Sequence, residues 1–188
     1  MNSQLPQLFK ENILQGTTIV QKQTYLKDLK GFFYHEAERE LLLQNQLVYE
    51  VDAYFPVSAG TEGGLFFGVT RLQPGMVGNE YFMTRGHFHA IANRAEYYWT
   101  IEGHGQLILM NHEREICIEE MQPGSLHYIP GHMAHRVANT GNSLLSFGAC
   151  WPADAGYDYT TIESEGFSAR LCKVNGLPVL LTDEQQAL

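Results

Sequence analysis

Basic residues are scarce: 12 lysines and arginines stand against 21 aspartates and glutamates, a net charge of −9. Such a chain repels phosphate backbones and anionic lipid unless positive charge is locally clustered, and the sequence holds no basic cluster, so no nucleic-acid or membrane partner is expected. The imbalance also gives a small anionic substrate no general attraction; an anion site here needs backbone amides, hydroxyls and a metal ion. Long apolar runs are missing as well. No stretch approaches the about 20 consecutive apolar residues that a membrane-spanning helix needs. The opening Met1-Asn2-Ser3-Gln4-Leu5-Pro6 has no basic region ahead of an apolar one, so neither insertion nor secretion is expected. Cysteine is sparse too. Cys117, Cys150 and Cys172 are odd in number, widely spaced and set in apolar stretches, which suits buried reduced thiols of a cytoplasmic protein and not a disulfide framework.

A chain of 188 residues suits one compact domain and leaves little room for two independent cores. No internal repeat, low-complexity tract or Ser/Gly linker marks a boundary. Up to residue 46 the chain mixes apolar and charged residues, and the spacing over Lys27–Leu43 predicts a helix with Glu36, Glu38 and Glu40 crowding its face. From Leu47 onward short β-type runs alternate with turn residues, the pattern of an all-β sandwich or barrel. The runs are Leu47–Phe55, Gly64–Leu72, Glu80–Thr84, Glu96–Glu102, Gln106–Met110, Glu115–Glu119, Leu126–Ile129, His135–Asn139 and Leu144–Cys150. Gln73-Pro74-Gly75, Gly103-His104-Gly105, Gln122-Pro123-Gly124 and Pro130-Gly131 supply the positive or fixed φ that tight reversals require. After Trp151 come a loop rich in Asp, Gly and Tyr and one more strand-like run, Phe167–Val174. The expected organisation is therefore an N-terminal extension (1–46), a barrel (47–150) and a C-terminal loop and strand covering it (151–188), one domain in all.

Chemistry concentrates in Gly86-His87-Phe88-His89. Residues two apart on a strand project from one face, so His87 and His89 are placed to share an ion while Phe88 points away. The link Ala90–Ala95 feeds a strand opening at Glu96; if Glu96 faces inward, so do Tyr98 and Thr100. A Pro-Gly turn at Pro130-Gly131 then precedes His135. Three imidazoles and one carboxylate suit a borderline divalent ion such as Fe, Mn, Ni, Co or Zn, with remaining positions open to water or substrate oxygens. A lone strand histidine usually hydrogen-bonds and nothing more, and the pair alone is only slightly better evidence. Glu96, the turn glycines and the Pro-Gly-led His135 carry the reading beyond that.

The other histidines are expected to be structural: His35 in the N-terminal segment, His104 and His112 in turns, His127 on a strand with no neighbouring partner. His132 stands three residues before His135 but off the strand, and an exposed or supporting role is expected of it. Tyr97 and Trp99 read as packing residues. Tyr98, on the side of Glu96, is placed to offer its hydroxyl to a polar ligand. Trp151 to Tyr159 form either a lid or a packed loop.

These residues resemble the two motifs of the cupin superfamily, a His-x-His followed by Glu and then Gly, and a Pro-led turn followed by a third His and an Asn. Here they run Gly86-His87-Phe88-His89 with Glu96 and Gly103, then Gly124, Pro130, His135 and Asn139. The chain departs from the general pattern twice: the gap from His89 to Glu96 is longer, and His132 stands where Gly is common. The longer gap is similar to that of one branch, the cupin-type glucose-6-phosphate isomerases of archaea and some bacteria. That similarity extends from about Leu47 to Phe167. It includes Val48-Tyr49-Glu50-Val51, Pro74-Gly75, Thr84-Arg85-Gly86-His87-Phe88-His89-Ala90, Arg94-Ala95-Glu96, Met121-Gln122-Pro123-Gly124, Ala134-His135-Arg136 and Pro152-Ala153-Asp154-Ala155-Gly156.

The resemblance implies a single-domain cupin, an antiparallel jelly-roll barrel holding one divalent ion, with iron the first choice. It implies interconversion of glucose 6-phosphate and fructose 6-phosphate, by a base that removes the C2 proton to give a cis-enediolate or by a hydride shift between C2 and C1. Glu96 is the implied base. For the phosphate and sugar, the matching positions are Tyr49, Thr70, Thr84, Gly86, Tyr98 and Tyr159. At Trp151 and Tyr157 the family tends toward Tyr and His. A homodimer is expected, from the resemblance and from the need to cover strand edges. Two other classes share the ligand set: a cupin dioxygenase, revealed by oxygen consumption with an apolar substrate, and a non-catalytic sugar-binding cupin, which binds without turnover. The hydroxyls of Tyr49, Thr70 and Thr84 count against the first.

Overall fold

The computed structural model describes residues 7–187; the stretch Met1 to Pro6, where no leader was expected, lies outside the described residues. In chain order the strands are β1 (Leu8–Lys10), β2 (Ile13–Gln15), β3 (Ile19–Tyr25), β4 (Leu47–Tyr54), β5 (Leu65–Leu72), β6 (Met76–Val77), β7 (Glu80–Tyr81) and β8 (Glu96–Glu102). They continue as β9 (Gly105–Met110), β10 (Ile116–Met121), β11 (Leu126–Ile129), β12 (Ala134–Asn139), β13 (Leu145–Pro152), β14 (Arg170–Val174) and β15 (Leu177–Leu181). Two short helices, α1 (Glu36–Leu41) and α2 (Thr160–Glu165), sit in the connections, and a third, α3 (Asp183–Gln186), follows β15.

One sheet of six strands runs β11-β8-β13-β5-β4-β3, and a second of three runs β10-β9-β12. Leu72 of β5, Leu107 and Leu109 of β9, Val137 of β12 and Leu145 and Phe147 of β13 lie in one buried cluster, so the two sheets close on a shared core. Each such side chain contributes roughly 1.5–3 kcal/mol through burial. The pairings are antiparallel throughout, and the period-2 pattern from Leu47 onward is the sequence signature of this arrangement. The molecule is therefore the all-β barrel of cupin type that was expected.

The N-terminal part differs from its sequence reading. In place of one helix over Lys27–Leu43 there are a 3-10 turn, Leu26–Leu29, and the separate α1. Gly31 at φ +84° breaks the path, and side chains take the backbone donors a helix would have used: Gly31 N–H donates to Glu36 at 2.8 Å and Tyr34 N–H to Glu80 at 3.0 Å. Leu26, Leu29 and Phe33 are thereby delivered to the core. The strand β3 was not anticipated; it pairs with β4 and extends the large sheet.

At the other end, the run expected over Phe167–Val174 begins only at Arg170, and Asn175-Gly176, at φ +51° and +85°, turns it into a hairpin with β15. The strand expected over Glu80–Thr84 shrinks to β7, with Met83 making a single bridge to Ala138. The cysteines are free, as expected, but only Cys172 is fully buried; Cys117 is exposed because β10 is an outer edge whose far face meets solvent. Arg170 joins the ends of the chain to the barrel. It approaches buried Glu80 at 3.4 Å, Asp183 at 2.7 Å and the Phe32 carbonyl at 2.8 Å. Burial pushes the Glu80 carboxyl up, against the pull of that guanidinium.

Candidate metal centre and substrate cavity

The segment leading to His87 crosses close to β12. His87 and His135 face each other in an antiparallel bridge, His135 N–H donating to the His87 carbonyl at 3.1 Å and His87 N–H to the His135 carbonyl at 3.4 Å. Opposed residues of such a pair project from the same face, which places both imidazoles on the barrel interior. Gly86 permits the approach. It has φ +77°, and a Cβ there would lie 2.8 Å from Phe167, 2.9 Å from Arg136 Cβ and 3.0 Å from the His135 carbonyl oxygen. His89 follows two residues on, and Glu96 opens β8 on the same interior face.

The ligand atoms of His87, His89 and His135 all lie within 4.8 Å of one another, a grouping able to hold a metal ion. Glu96 Oε1 stands 2.6 Å from His135 Nε2 and 3.8 Å from His89 Nε2. His89 Nδ1 donates to the Arg94 carbonyl at 2.8 Å, which leaves its Nε2 lone pair directed inward. Burial, and then the neighbouring imidazoles, push His87 well below the ordinary histidine range; burial likewise lowers His89 against the Glu96 carboxylate. Both rings are thus held neutral, the form that ligates metals.

Three buried atoms in this cluster, His89 Nε2, His135 Nε2 and Glu96 Oε1, have no hydrogen-bond partner; the 2.6 Å approach of the last two does not have hydrogen-bonding geometry. Leaving such groups unpaired costs about 1–3 kcal/mol each. One cation among them relieves all three, and a nitrogen-and-carboxylate set matches a borderline ion.

The cluster opens into a cavity of about 460 Å³. Every substrate position named from the sequence lines it: Tyr49 of β4, Thr70 of β5, Thr84 and Gly86 ahead of His87, Tyr98 of β8, and Tyr159 ahead of α2. The Thr84 hydroxyl accepts the Val137 N–H at 3.0 Å, which leaves its own proton free to donate. Burial and the adjacent Glu96 carboxylate push the Tyr98 phenol well above its usual range, so it remains an O–H donor.

Trp151 and Tyr157, the departures noted above, also line the cavity. The Tyr157 ring lies 4.8 Å from that of His87 and stacks on Tyr159 at 6.0 Å. Lys22, Arg85, Phe55 and Phe147 line it as well and were missed. For Lys22 the signal was present, since Ile19-Val20-Gln21-Lys22-Gln23-Thr24 places Val20, Lys22 and Thr24 on one face of a strand.

The remaining histidines stay outside this group. His127 bonds Ser125 at 2.8 Å and Glu119 at 2.7 Å, and His112 stacks on Phe88 at 4.4 Å. His132 is exposed at φ +66°, and that left-handed backbone explains why glycine suits the position. His132→Gly is therefore expected to keep bound metal and turnover and to hold or raise the denaturation midpoint. Metal analysis and a urea titration check this, and loss of the ion would mean the ligand set is misassigned.

Fold and site together define a cupin, an all-β barrel with a histidine cluster able to take a metal at the head of its interior cavity. The family model described as "Glucose-6-phosphate isomerase (GPI)" matches residues 23–183. Glucose-6-phosphate isomerase of Thermococcus litoralis is 43% identical over 157 residues, 82% of each chain. That of Thermococcus kodakarensis is 46% identical over 152 residues, 80% of this chain and 79% of its own; that of Pyrococcus horikoshii is 41% identical over 170 residues, 89% and 88%. Among solved structures, a mutant of Bacillus subtilis oxalate decarboxylase OxdC superposes with TM-score 0.45 and 21% identity; 58% of this chain is covered and 27% of that one. The chain belongs to the glucose-6-phosphate isomerase family.

Proposed function

We propose that this protein is a metal-dependent isomerase interconverting glucose 6-phosphate and fructose 6-phosphate. The observation that carries the reading is the set of unpaired buried atoms, His89 Nε2, His135 Nε2 and Glu96 Oε1, at the head of a cavity lined with hydroxyls. In this reading His87, His89, Glu96 and His135 hold one divalent ion per chain, iron first, with Mn, Ni, Co or Zn as substitutes. The ion supplies Lewis-acid stabilisation of the oxygen charge that develops at C1 and C2. Glu96 takes the proton from C2 and returns one to C1. The hydroxyls of Tyr49, Thr70 and Thr84 and the Gly86 N–H bind the phosphate, Tyr98 and Tyr159 orient the sugar, and the barrel wall excludes water.

Family membership over residues 23–183 supports the substrate class. A single domain is part of the same reading, supported by β3 pairing with β4 across the boundary at residue 46. So are a cytoplasmic location, in line with the free cysteines, and a homodimer. Exposed Tyr97, Leu126 and Tyr128, on the outward side of the β8–β11 edge, offer apolar surface of the kind dimers cover.

The test is a coupled assay of fructose 6-phosphate conversion with chelator-stripped protein refilled separately with Fe, Mn, Ni, Co or Zn. Turnover restored by an ion is the expected result. Tight ion binding without turnover, for any sugar phosphate tried, would replace the isomerase reading with a binding module.

A further inference from the structure

Two lysine or arginine side chains line the cavity, and they differ in their surroundings. Arg85 is engaged: it lies over the rings of Phe32 at 5.0 Å and Tyr159 at 5.7 Å, donates to the Asp28 carbonyl at 3.0 Å and pairs with Glu163 at 3.6 Å. Lys22 makes no ion pair or hydrogen bond through its ammonium among the described residues, and its side chain is exposed at the cavity rim.

Strand register places that ammonium. Lys22 of β3 pairs with Val51 of β4, and Val51 pairs with Thr70 of β5; all three line the cavity. They form one inward-facing row across three strands, with Lys22 roughly 10 Å from Thr70 between Cα atoms at the usual strand spacing. A four-carbon stem spans much of that gap.

The outward face of β3 provides the contrast. There Gln21 donates to Asp52 at 3.0 Å and Gln23 to Glu50 at 3.2 Å. Arg71 of β5 pairs with both carboxylates, at 2.6 Å to Asp52 and 3.0 Å to Glu50, so that face holds its own counter-charge, whereas the one cation of β3 faces the cavity.

We propose that Lys22 is a substrate-binding residue whose ammonium pairs with the phosphate of the sugar phosphate at the Thr70 side of the cavity. The inference rests on the isomerase reading. It supplies the local positive charge that a phosphate dianion needs in a chain of net charge −9.

The test uses the metal-loaded full chain and its Lys22→Gln, Lys22→Arg and Lys22→Glu variants, assayed with fructose 6-phosphate over a range of salt and with inorganic phosphate as competitive inhibitor. Lys22→Gln is expected to raise KM about 3- to 10-fold, with kcat within about twofold, and to weaken phosphate inhibition by the same factor. KM should also become less sensitive to salt. Lys22→Arg should restore most of the loss and Lys22→Glu deepen it, while an exposed side chain leaves the unfolding midpoint unchanged. If the parent protein turns over and Lys22→Gln shifts neither KM nor phosphate inhibition, the proposal is overturned; a fall in kcat alone overturns it equally. If the parent never turns over, calorimetric binding of inorganic phosphate to parent and Lys22→Gln still decides it, equal affinities counting against the role.

Discussion

Glu96→Gln is expected to lower kcat for fructose 6-phosphate by about 10²- to 10⁴-fold, the usual contribution of a positioned general base. The exchange keeps the shape of the side chain and one ligating oxygen but removes its charge and basicity. Three imidazoles remain, so ion content at saturating metal should stay near that of the parent, and metal analysis alongside the assay separates lost chemistry from lost cofactor. The interior placement of Glu96, 2.6 Å from His135 Nε2 and facing the Tyr98 hydroxyl, is what the proposed reading uses for both duties, ligand and base. A carboxylate that ligates a cation is a weaker base, since the cation favours its charged form. The variant therefore measures whether Glu96 keeps enough basicity to act. Near-normal turnover would remove it as the base and leave the hydride shift between C2 and C1. Reaction in D2O adds an independent sign, because solvent deuterium in the new C–H bond requires a proton route.

Much of this site was readable because strand geometry is local. His87 and His89 share a face by their spacing of two, and the inward register of Glu96 carries Tyr98 and Thr100 with it, as the buried faces of β8 bear out. The direct opposition of His87 and His135, 48 residues apart, was not readable, since it depends on Gly86 letting two backbones approach and on an isolated bridge ahead of any regular strand. The N-terminal segment failed for a related reason. Its helical spacing is present, but Gly31 and the carboxylates of Glu36 and Glu80 capture backbone donors that a helix needs, and Glu80 is 46 residues from the donor it takes. The helical spacing of Lys27–Leu43 says nothing of the strand ahead of it, so β3 is not read from the sequence, and Lys22 with it. Local periodicity showed which face a residue takes; it did not show which strand lies beside it.

In the turn between β8 and β9 the cost of a backbone collision can be measured by itself. Gly103→Ala is expected to cost at least about 3 kcal/mol of stability, at the upper end of single substitutions. Two causes add. Gly103 sits at φ +82°, where an L-residue pays about 1–2 kcal/mol, and its new Cβ would lie 2.3 Å from the Leu144 carbonyl oxygen and 2.8 Å from Leu145 Cα. Both obstacles are backbone at the entry to β13, so no side-chain rotation relieves them, and β8 must shift against β13. Gly124 provides the control, with φ +88° and nothing within 4 Å of an added Cβ; Gly124→Ala should pay only the backbone cost. Urea unfolding of the two variants, metal-loaded, isolates the collision as the difference between them, and equal losses would sink the steric account. Because β8 carries Glu96 and Tyr98 into the cavity, Gly103→Ala protein that still folds should also bind its ion more weakly, whereas Gly124→Ala should bind as the parent does.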